Sequence, residues 1–268
     1  MGTRHETAAS DPAADDRAEY DYEGGAVERP AFVADLTARI DGVVRFDEYT
    51  RQLYATDASA YEVTPIGVVF PTSTADVATV VAYCAERSTP VLPRGGGTSL
   101  AGQSVNEAVV LDFSRFMDEL LSIDPDERRA RAQVGTTLGE LNDALADHGL
   151  KFAPDPAWGD KSVLGGAIGN NSTGAHSLQY GKTDAYVEEC EVVLADGTVT
   201  TFGEVTRDEI SERATARDGL EGEIYAAIDD LLDEGRDAIE DAYPDLKRNV
   251  SGYNLDRLVA EADDGTIN

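Results

Sequence analysis

The sequence is short of the residues on which several chemistries depend. Among 268 residues there are two cysteines, three histidines, one tryptophan and two methionines. Cys84 and Cys190 form no Cys-x-x-Cys pair, so this chain cannot hold an iron–sulfur cluster or a zinc ribbon by itself. Two buried, unpaired thiols in a reducing compartment are the expectation. His5, His148 and His176 lack metal-ligand spacing, and no metal site is expected. Lysine is confined to Lys151, Lys161, Lys182 and Lys247. With 22 basic against 52 acidic residues the formal net charge is −30, and no nucleic-acid partner is expected because its phosphates would meet a strongly negative surface. No apolar run approaches the ~18 residues of a membrane span. Met1 to Asp16 is polar and without an apolar core, so no secretory signal is expected and the cytoplasm is the expected location.

What is abundant is acid, spread along the whole chain. Asp124, Asp126, Glu127, Glu188, Glu189, Asp229, Asp230, Asp233 and Glu234 are examples. Such a charge opposes compaction in dilute buffer and is relieved by screening. The pattern reads as adaptation to a high-salt cytoplasm; the plainer alternative is an acidic surface that favours solubility.

Residues 1 to 26 are rich in Ala, Asp, Glu and Gly, show no period, and are expected to be a disordered acidic leader. Pro30 opens an amphipathic helix with Phe32, Val33, Leu36 and Ile40 on one face, stopped by Asp41-Gly42. Ile66 to Phe70 reads as a strand closed by Pro71. Ser73 or Thr74 then caps a helix with Val77, Val80, Val81 and Cys84 in phase, and Val91-Leu92 is the next strand. This order suggests a βαβ unit and an α/β or α+β fold. Val109 to Phe113 is a further buried strand, and Arg129 to Val134 alternates, with Ala130, Ala132 and Val134 on one side. Thr137-Leu138-Gly139-Glu140 is a capping box for a helix that packs Leu138, Leu141 and Leu145. Glu191 to Phe202 reads as a hairpin about Asp196-Gly197. Gly219 to Ala242 reads as helix, with Ile224, Ala227, Ile228 and Leu231 in phase.

Three segments carry chemistry. In Pro93-Arg94-Gly95-Gly96-Gly97-Thr98-Ser99-Leu100, three glycines after a strand free the backbone to turn its N–H groups inward as an anion nest, and Thr98 and Ser99 add hydroxyls. Such a loop suits a pyrophosphate. It is neither a P-loop nor a Gly-x-Gly-x-x-Gly fingerprint, and a tight turn remains the alternative. Ser162 to Gly174 places Gly165, Gly166, Gly169 and Gly174 among Asn170, Asn171, Ser172 and Thr173. A flat ring lying on backbone needs that emptiness, and the amides and hydroxyls suit a heterocycle's edge. Pro154-Asp155-Pro156 fixes the approach of the chain. Gly-rich helix packing is the alternative, which accounts for Gly165-Gly166 but not the amide cluster. In the third segment, His176 to Thr183, Lys182 offers a positive charge to a phosphate or a reduced flavin. His176 is read as a backbone partner ahead of a redox-site group.

In this order and spacing the segments resemble the PCMH-type FAD domain of the vanillyl-alcohol-oxidase superfamily. The likeness extends to FAD-linked 2-hydroxyacid dehydrogenases of the D-lactate dehydrogenase and glycolate oxidase D-subunit kind. It runs from about Tyr54 to Leu258 and includes Tyr54 to Ser59, the Glu-x-Val-x-Ala-Asp-Gly hairpin Glu191 to Gly197, and Arg248 to Leu255. The resemblance implies an α+β fold of two α/β subdomains with FAD between them, over residues 27–258. It implies that Pro93 to Ser99 hold the pyrophosphate, and that Pro154, Asp155, Ser162, Gly165, Gly166, Asn170 to Gly174 and Ser177 surround the flavin. It further implies oxidation of a 2-hydroxy acid to a 2-oxo acid, with the α-hydrogen passing to flavin N5 and electrons leaving to a quinone or an iron–sulfur partner. The glycine loop lacks the histidine of covalently flavinylated members, so non-covalent FAD is expected. The family continues with a Gly-Ser-Glu-Gly motif and a cap domain carrying the catalytic histidines. Residues 259–268 are therefore expected to be a truncated tail, the missing part lying in a cap domain or partner chain, and no residue here is nominated as catalytic. A stand-alone FAD module, an inactive fragment, and a nucleotide-phosphate site of an unrelated transferase are the competing readings.

Overall fold

A computed structural model of the chain describes residues 29–244 and 253–268. The expected leader, residues 1–26, and Arg248 to Gly252 lie outside the described residues.

The first lobe starts with α1 (Pro30–Thr37), which has proline in its first turn and buries Phe32, Val33 and Leu36. After β1 (Val43–Arg45) comes α2 (Glu48–Leu53), capped by Asp47, whose buried carboxylate accepts from the Thr50 amide at 2.8 Å. Next are β2 (Gly67–Phe70), α3 (Thr74–Ala85), β3 (Val91–Arg94) and β4 (Val109–Asp112). The sheet order is β1-β2-β4-β3, with β1 antiparallel and the other three parallel. Every residue of β2 and β4 is buried, as their unbroken apolar runs require of strands covered on both faces. Ser73 caps α3, which buries Val77, Val80 and Cys84 and half-buries Val81. The expected strand–helix–strand unit is present, but β4 lies between its two strands. This leaves β3 at the sheet edge, the one place where Pro93, with no N–H to donate, fits a strand. The carboxyl ends of β3 and β4 stand side by side, Arg94 opposite Asp112.

The second lobe opens with the hairpin β5 (Leu120–Asp124) and β6 (Arg129–Ala132). Residues 124–131 are all exposed, so Ala130 does not face a core as its alternation predicts; the tip of this two-stranded ribbon projects beyond the packed part of the lobe. Then come α4 (Leu138–Ala146), α5 (Leu164–Gly169) and α6 (Ser177–Tyr180), followed by the hairpin β7 (Cys190–Val193) and β8 (Val199–Phe202). Both halves of the Thr137–Glu140 capping box form, and Leu138, Leu141, Leu145, Phe152 and Ala167 make one core. The β7–β8 turn seats on α3 of the first lobe. Gly197 has φ +89°, and a Cβ there would come 2.6 Å from that of Ala82. Beside it the Thr74 hydroxyl donates to Glu191 at 2.6 Å.

The remaining described chain forms β9 (Val205–Thr206), α7 (Arg207–Ala216), α8 (Gly219–Glu234), α9 (Arg236–Ala242), α10 (Leu255–Asp264) and β10 (Thr266–Ile267). The helix expected over 219–242 divides at Gly235, and its buried face is Glu221, Gly222, Tyr225 and Leu232, with Ala227 exposed. Ile228 and Leu231 pack against that core as expected, and a carboxylate joins the buried side. Glu221 accepts from the Thr200 hydroxyl at 2.6 Å and pairs with Arg217, and a count of apolar residues cannot register a satisfied buried charge. Cys84 is buried, and burial pushes its thiol up to about 11; Cys190 is half-buried rather than buried. Among the described residues no helix is long and apolar enough to cross a membrane.

Candidate functional site

The glycine loop leaves the carboxyl end of β3 and turns at Gly97, the one of its three glycines with positive φ, +62°. Among the described residues, the amides of Gly95, Gly96, Gly97, Thr98 and Ser99 donate to no acceptor of the protein. The loop is half-exposed to exposed, so these N–H groups, and that of Leu100 after them, are open to solvent or to an anion.

The absent side chains in this loop serve the protein as well. A Cβ on Gly95 would lie 2.1 Å from a Val163 methyl, and one on Gly96 would lie 1.8 Å from the Lys161 carbonyl oxygen. The two glycine-rich segments are therefore packed directly on each other, and the bareness of Gly95 and Gly96 is already used by that contact. The Ser162 hydroxyl donates to the Ala157 carbonyl at 3.0 Å, so the 3.2 Å contact between Thr98 Oγ1 and Ser162 Oγ is donated by Thr98. Ser99 is engaged within its own turn: its Oγ accepts from the amides of Ala101 at 3.3 Å and Gln103 at 3.2 Å, and bonds the Gln103 side chain.

In the second segment the glycines divide into two groups. Gly165 and Gly174 are required by self-packing, since a Cβ would stand 2.8 Å from Val134 Cβ and 2.0 Å from the Asp155 carbonyl oxygen, respectively. Pro156 and Gly174 pair as an isolated β-bridge, so Pro154-Asp155-Pro156 does set the path of this loop. Gly166 and Gly169 are different. A Cβ on Gly166 would have only a Val163 methyl at 3.8 Å, and one on Gly169 would touch nothing within 4 Å. The protein's own packing does not account for these two positions, and exposed Asn170 follows directly. Asn171 is spent internally: its amide donates to Asp184 at 2.9 Å and its Oδ1 accepts from the Asp184 amide at 3.0 Å, holding a positive φ of +44°. Ser172 gives its carbonyl to the Thr183 hydroxyl at 2.8 Å, and buried Ser177 accepts from the Gly174 amide at 2.7 Å. Asp155 and Trp158 also have positive φ, +47° and +61°. Such conformations cost on the order of 1–3 kcal/mol each and concentrate at functional sites.

Charge near the site is compensated. Lys182 lies 3.3 Å from Asp184 and donates to Asn254 at 3.4 Å, so its ammonium faces a carboxylate rather than an open cradle. Burial pushes the Asp184 carboxyl up, but the Asn171 amide, Arg257 and Lys182 together hold it below the ordinary range. His176 is half exposed, 3.6 Å from Asp155, which Lys151 holds at 2.7 Å. The Asp184 hub was not legible in the sequence, because Asn171 reaches it from the loop and Arg257 from α10, and only Lys182 is its neighbour in the chain.

A lobe built on a mixed, mostly parallel sheet and a lobe built on antiparallel hairpins thus meet at two side-chain-poor loops, one of them at the carboxyl end of a strand. The chain belongs to the FAD binding domain family, which it matches over residues 65–203, just over half its length. It is 37% identical to a D-2-hydroxyglutarate dehydrogenase of Pseudomonas putida over 220 residues, 81% of this chain and 22% of that protein. It is 38% identical to a D-lactate dehydrogenase of Archaeoglobus fulgidus over 161 residues, 59% of this chain and 34% of that protein. With glycolate oxidase subunit GlcD of Bacillus subtilis it shares 33% over 181 residues, 66% of this chain and 38% of the subunit. An alkyldihydroxyacetonephosphate synthase structure superposes with a TM-score of 0.56 at 26% identity, covering 65% of this chain and 34% of that one. The chain thus spans about a fifth of the length of the D-2-hydroxyglutarate dehydrogenases it matches.

Proposed function

We propose that this chain is the cofactor-binding part of an enzyme that oxidises a 2-hydroxy acid to the 2-oxo acid, and that it binds FAD non-covalently between its two lobes. The observation that carries this reading is the run of acceptor-less amides that includes Gly95 to Ser99. The residues present fit the group. The amides suit the two phosphates, and Gly166, Gly169 and Asn170 leave a bare surface at which a flat ring system can rest. When bound, FAD supplies the two-electron acceptor for the substrate's α-hydrogen. The chain's own contribution is to hold and orient it.

Pro93, Arg94, Pro154, Asp155, Ser162, Gly165, Gly174 and Ser177 then act by shaping the two loops, and Asn171 and Ser172 by fixing the turn after α5. Thr98 ties one loop to the other. The dehydrogenase relatives support a 2-hydroxy acid as substrate class, with D-2-hydroxyglutarate, D-lactate and glycolate as the candidates. Because those relatives are several times longer than the matched stretch, substrate acid–base groups are assigned to a cap domain or partner chain, and electron transfer to a quinone or iron–sulfur protein. The cytoplasm remains the proposed location.

The test is reconstitution of the full chain with FAD. Bands near ~450 nm should remain after desalting, and acid precipitation should release the flavin to the supernatant. Absence of the bands overturns the cofactor reading; colour left in the pellet overturns non-covalent binding. Gly166→Ala gives a sharper version. It should stabilise helix α5 by up to about 1 kcal/mol, since Gly is the poorer helix former, yet weaken FAD binding. A variant that gains stability and keeps full affinity would remove Gly166 from the cradle.

A further inference from the structure

Arg94 stands where the glycine loop leaves the sheet, and a cation next to a phosphate nest invites the assumption that it meets the phosphates. The geometry assigns it a different task. Its guanidinium turns back into the protein and donates to three backbone carbonyls, those of Tyr54 at 3.2 Å, Thr56 at 2.8 Å and Ser104 at 2.9 Å. It also lies 5.0 Å from the centroid of the Tyr54 ring. The Tyr54 hydroxyl in turn donates to Asp112, a buried carboxylate that also accepts from the Ser114 amide at 2.8 Å and hydroxyl at 2.7 Å. One side chain therefore grips both the far end of the loop, at Ser104, and the crossing segment Tyr54 to Thr56.

Two further ties run parallel to it. The Ser104 hydroxyl donates to Asp57 at 3.0 Å, and the Ala58 amide donates to the Gly97 carbonyl at 3.1 Å. The turn itself is moulded on the arginine, because a Cβ on Gly97 would come 2.6 Å from a guanidinium nitrogen. The Gly97 carbonyl is drawn inward by that tie, and the amides of Gly95 to Ser99 are among the loop's groups left without protein acceptors.

We propose that Arg94 is a positioning residue: it braces residues 95–104 against residues 54–58, so that the five amides are preorganised for the cofactor's phosphates, and it sets FAD affinity without pairing with them. This rests on the cofactor reading above. Preorganisation of this kind raises affinity by removing an ordering cost from the bound state.

The experiment is a fluorescence titration of FAD, with ADP as a second ligand, into the full chain and three variants. Arg94→Met removes the brace and the charge. Arg94→Lys keeps the charge but cannot span three carbonyls. Asp57→Ala cuts the parallel tie and leaves Arg94 in place. The brace predicts that Met and Lys both weaken FAD and ADP by about tenfold or more, to a similar extent, and that Asp57→Ala weakens them by a smaller factor. Full affinity in Arg94→Lys overturns the brace in favour of direct charge pairing. Unchanged affinity in Arg94→Met overturns it outright. Should Arg94→Met fail to fold, Arg94→Lys and Asp57→Ala carry the decision, and unchanged affinity in both overturns it. If the unaltered chain binds neither ligand, the cofactor reading itself has failed, which is a separate result.

Discussion

Gly96→Val should leave the purified protein colourless, with FAD affinity reduced by about a hundredfold or more, a loss of roughly 2.7 kcal/mol. A Cβ at this position would lie 1.8 Å from the Lys161 carbonyl oxygen, and that atom belongs to backbone, which cannot swing aside as a side-chain tip would. The loop must lift from Lys161 to Val163, breaking the Thr98–Ser162 contact and displacing the amides of Gly95 to Gly97. Overpacking of this kind costs typically about 1–3 kcal/mol of stability, so the melting temperature should fall together with flavin occupancy. Isothermal titration and thermal melts on the same sample check both. Retained affinity would show that the contact of the two loops is not part of the binding apparatus.

The second large effect concerns salt. Fifty-two acids against 22 bases leave most carboxylates without a cationic partner. Many of the ion pairs that do form are well exposed, such as Arg129–Glu188 and Arg131–Glu189, and such pairs contribute little. Repulsion among the surplus carboxylates acts over a Debye length of about 10 Å at 0.1 M ionic strength and about 3 Å at 1 M. Raising KCl from dilute buffer to molar concentration should therefore raise the melting temperature by roughly 5–10 °C, corresponding to about 2–3 kcal/mol for a chain of this size. A melting temperature that stays level or falls would return the acidity to a simple solubility role.

Much of the fold was legible in the chain. The spacing of Val77, Val80 and Cys84, the Thr137–Glu140 box and the Asp196–Gly197 turn each encode a local structure through contacts a few residues apart, and each forms as expected. The insertion of β4 between β2 and β3 is set by long-range pairing, on which periodicity is silent. Helix α7 went unannounced although Thr206 and Glu209 form a second capping box. It buries only Ile210, so no apolar stripe marks it.

The candidate site was legible as composition but not as roles. Both glycine segments were visible, yet Gly95, Gly96, Gly165 and Gly174 turn out to be demanded by chain-on-chain contact, while Gly166 and Gly169 have open space before them. A run of glycines looks the same in sequence whether its emptiness is filled by backbone or left for a ligand. The reversal at Arg94 and the spending of Asn171 and Lys182 on Asp184 have the same origin. Arg94 and Asn171 are claimed by partners distant in sequence, Tyr54 and Thr56 for the one and Asp184 for the other, and Lys182, besides its near neighbour Asp184, is held by distant Asn254.

The most direct measurement is backbone hydrogen exchange of the full chain with and without saturating FAD, read over residues 93–100. Anchoring of the phosphates by the open amides predicts slowed exchange at Gly95 to Ser99 when FAD is present. Bound flavin, seen by its absorbance, with exchange at those five amides unchanged would contradict the account.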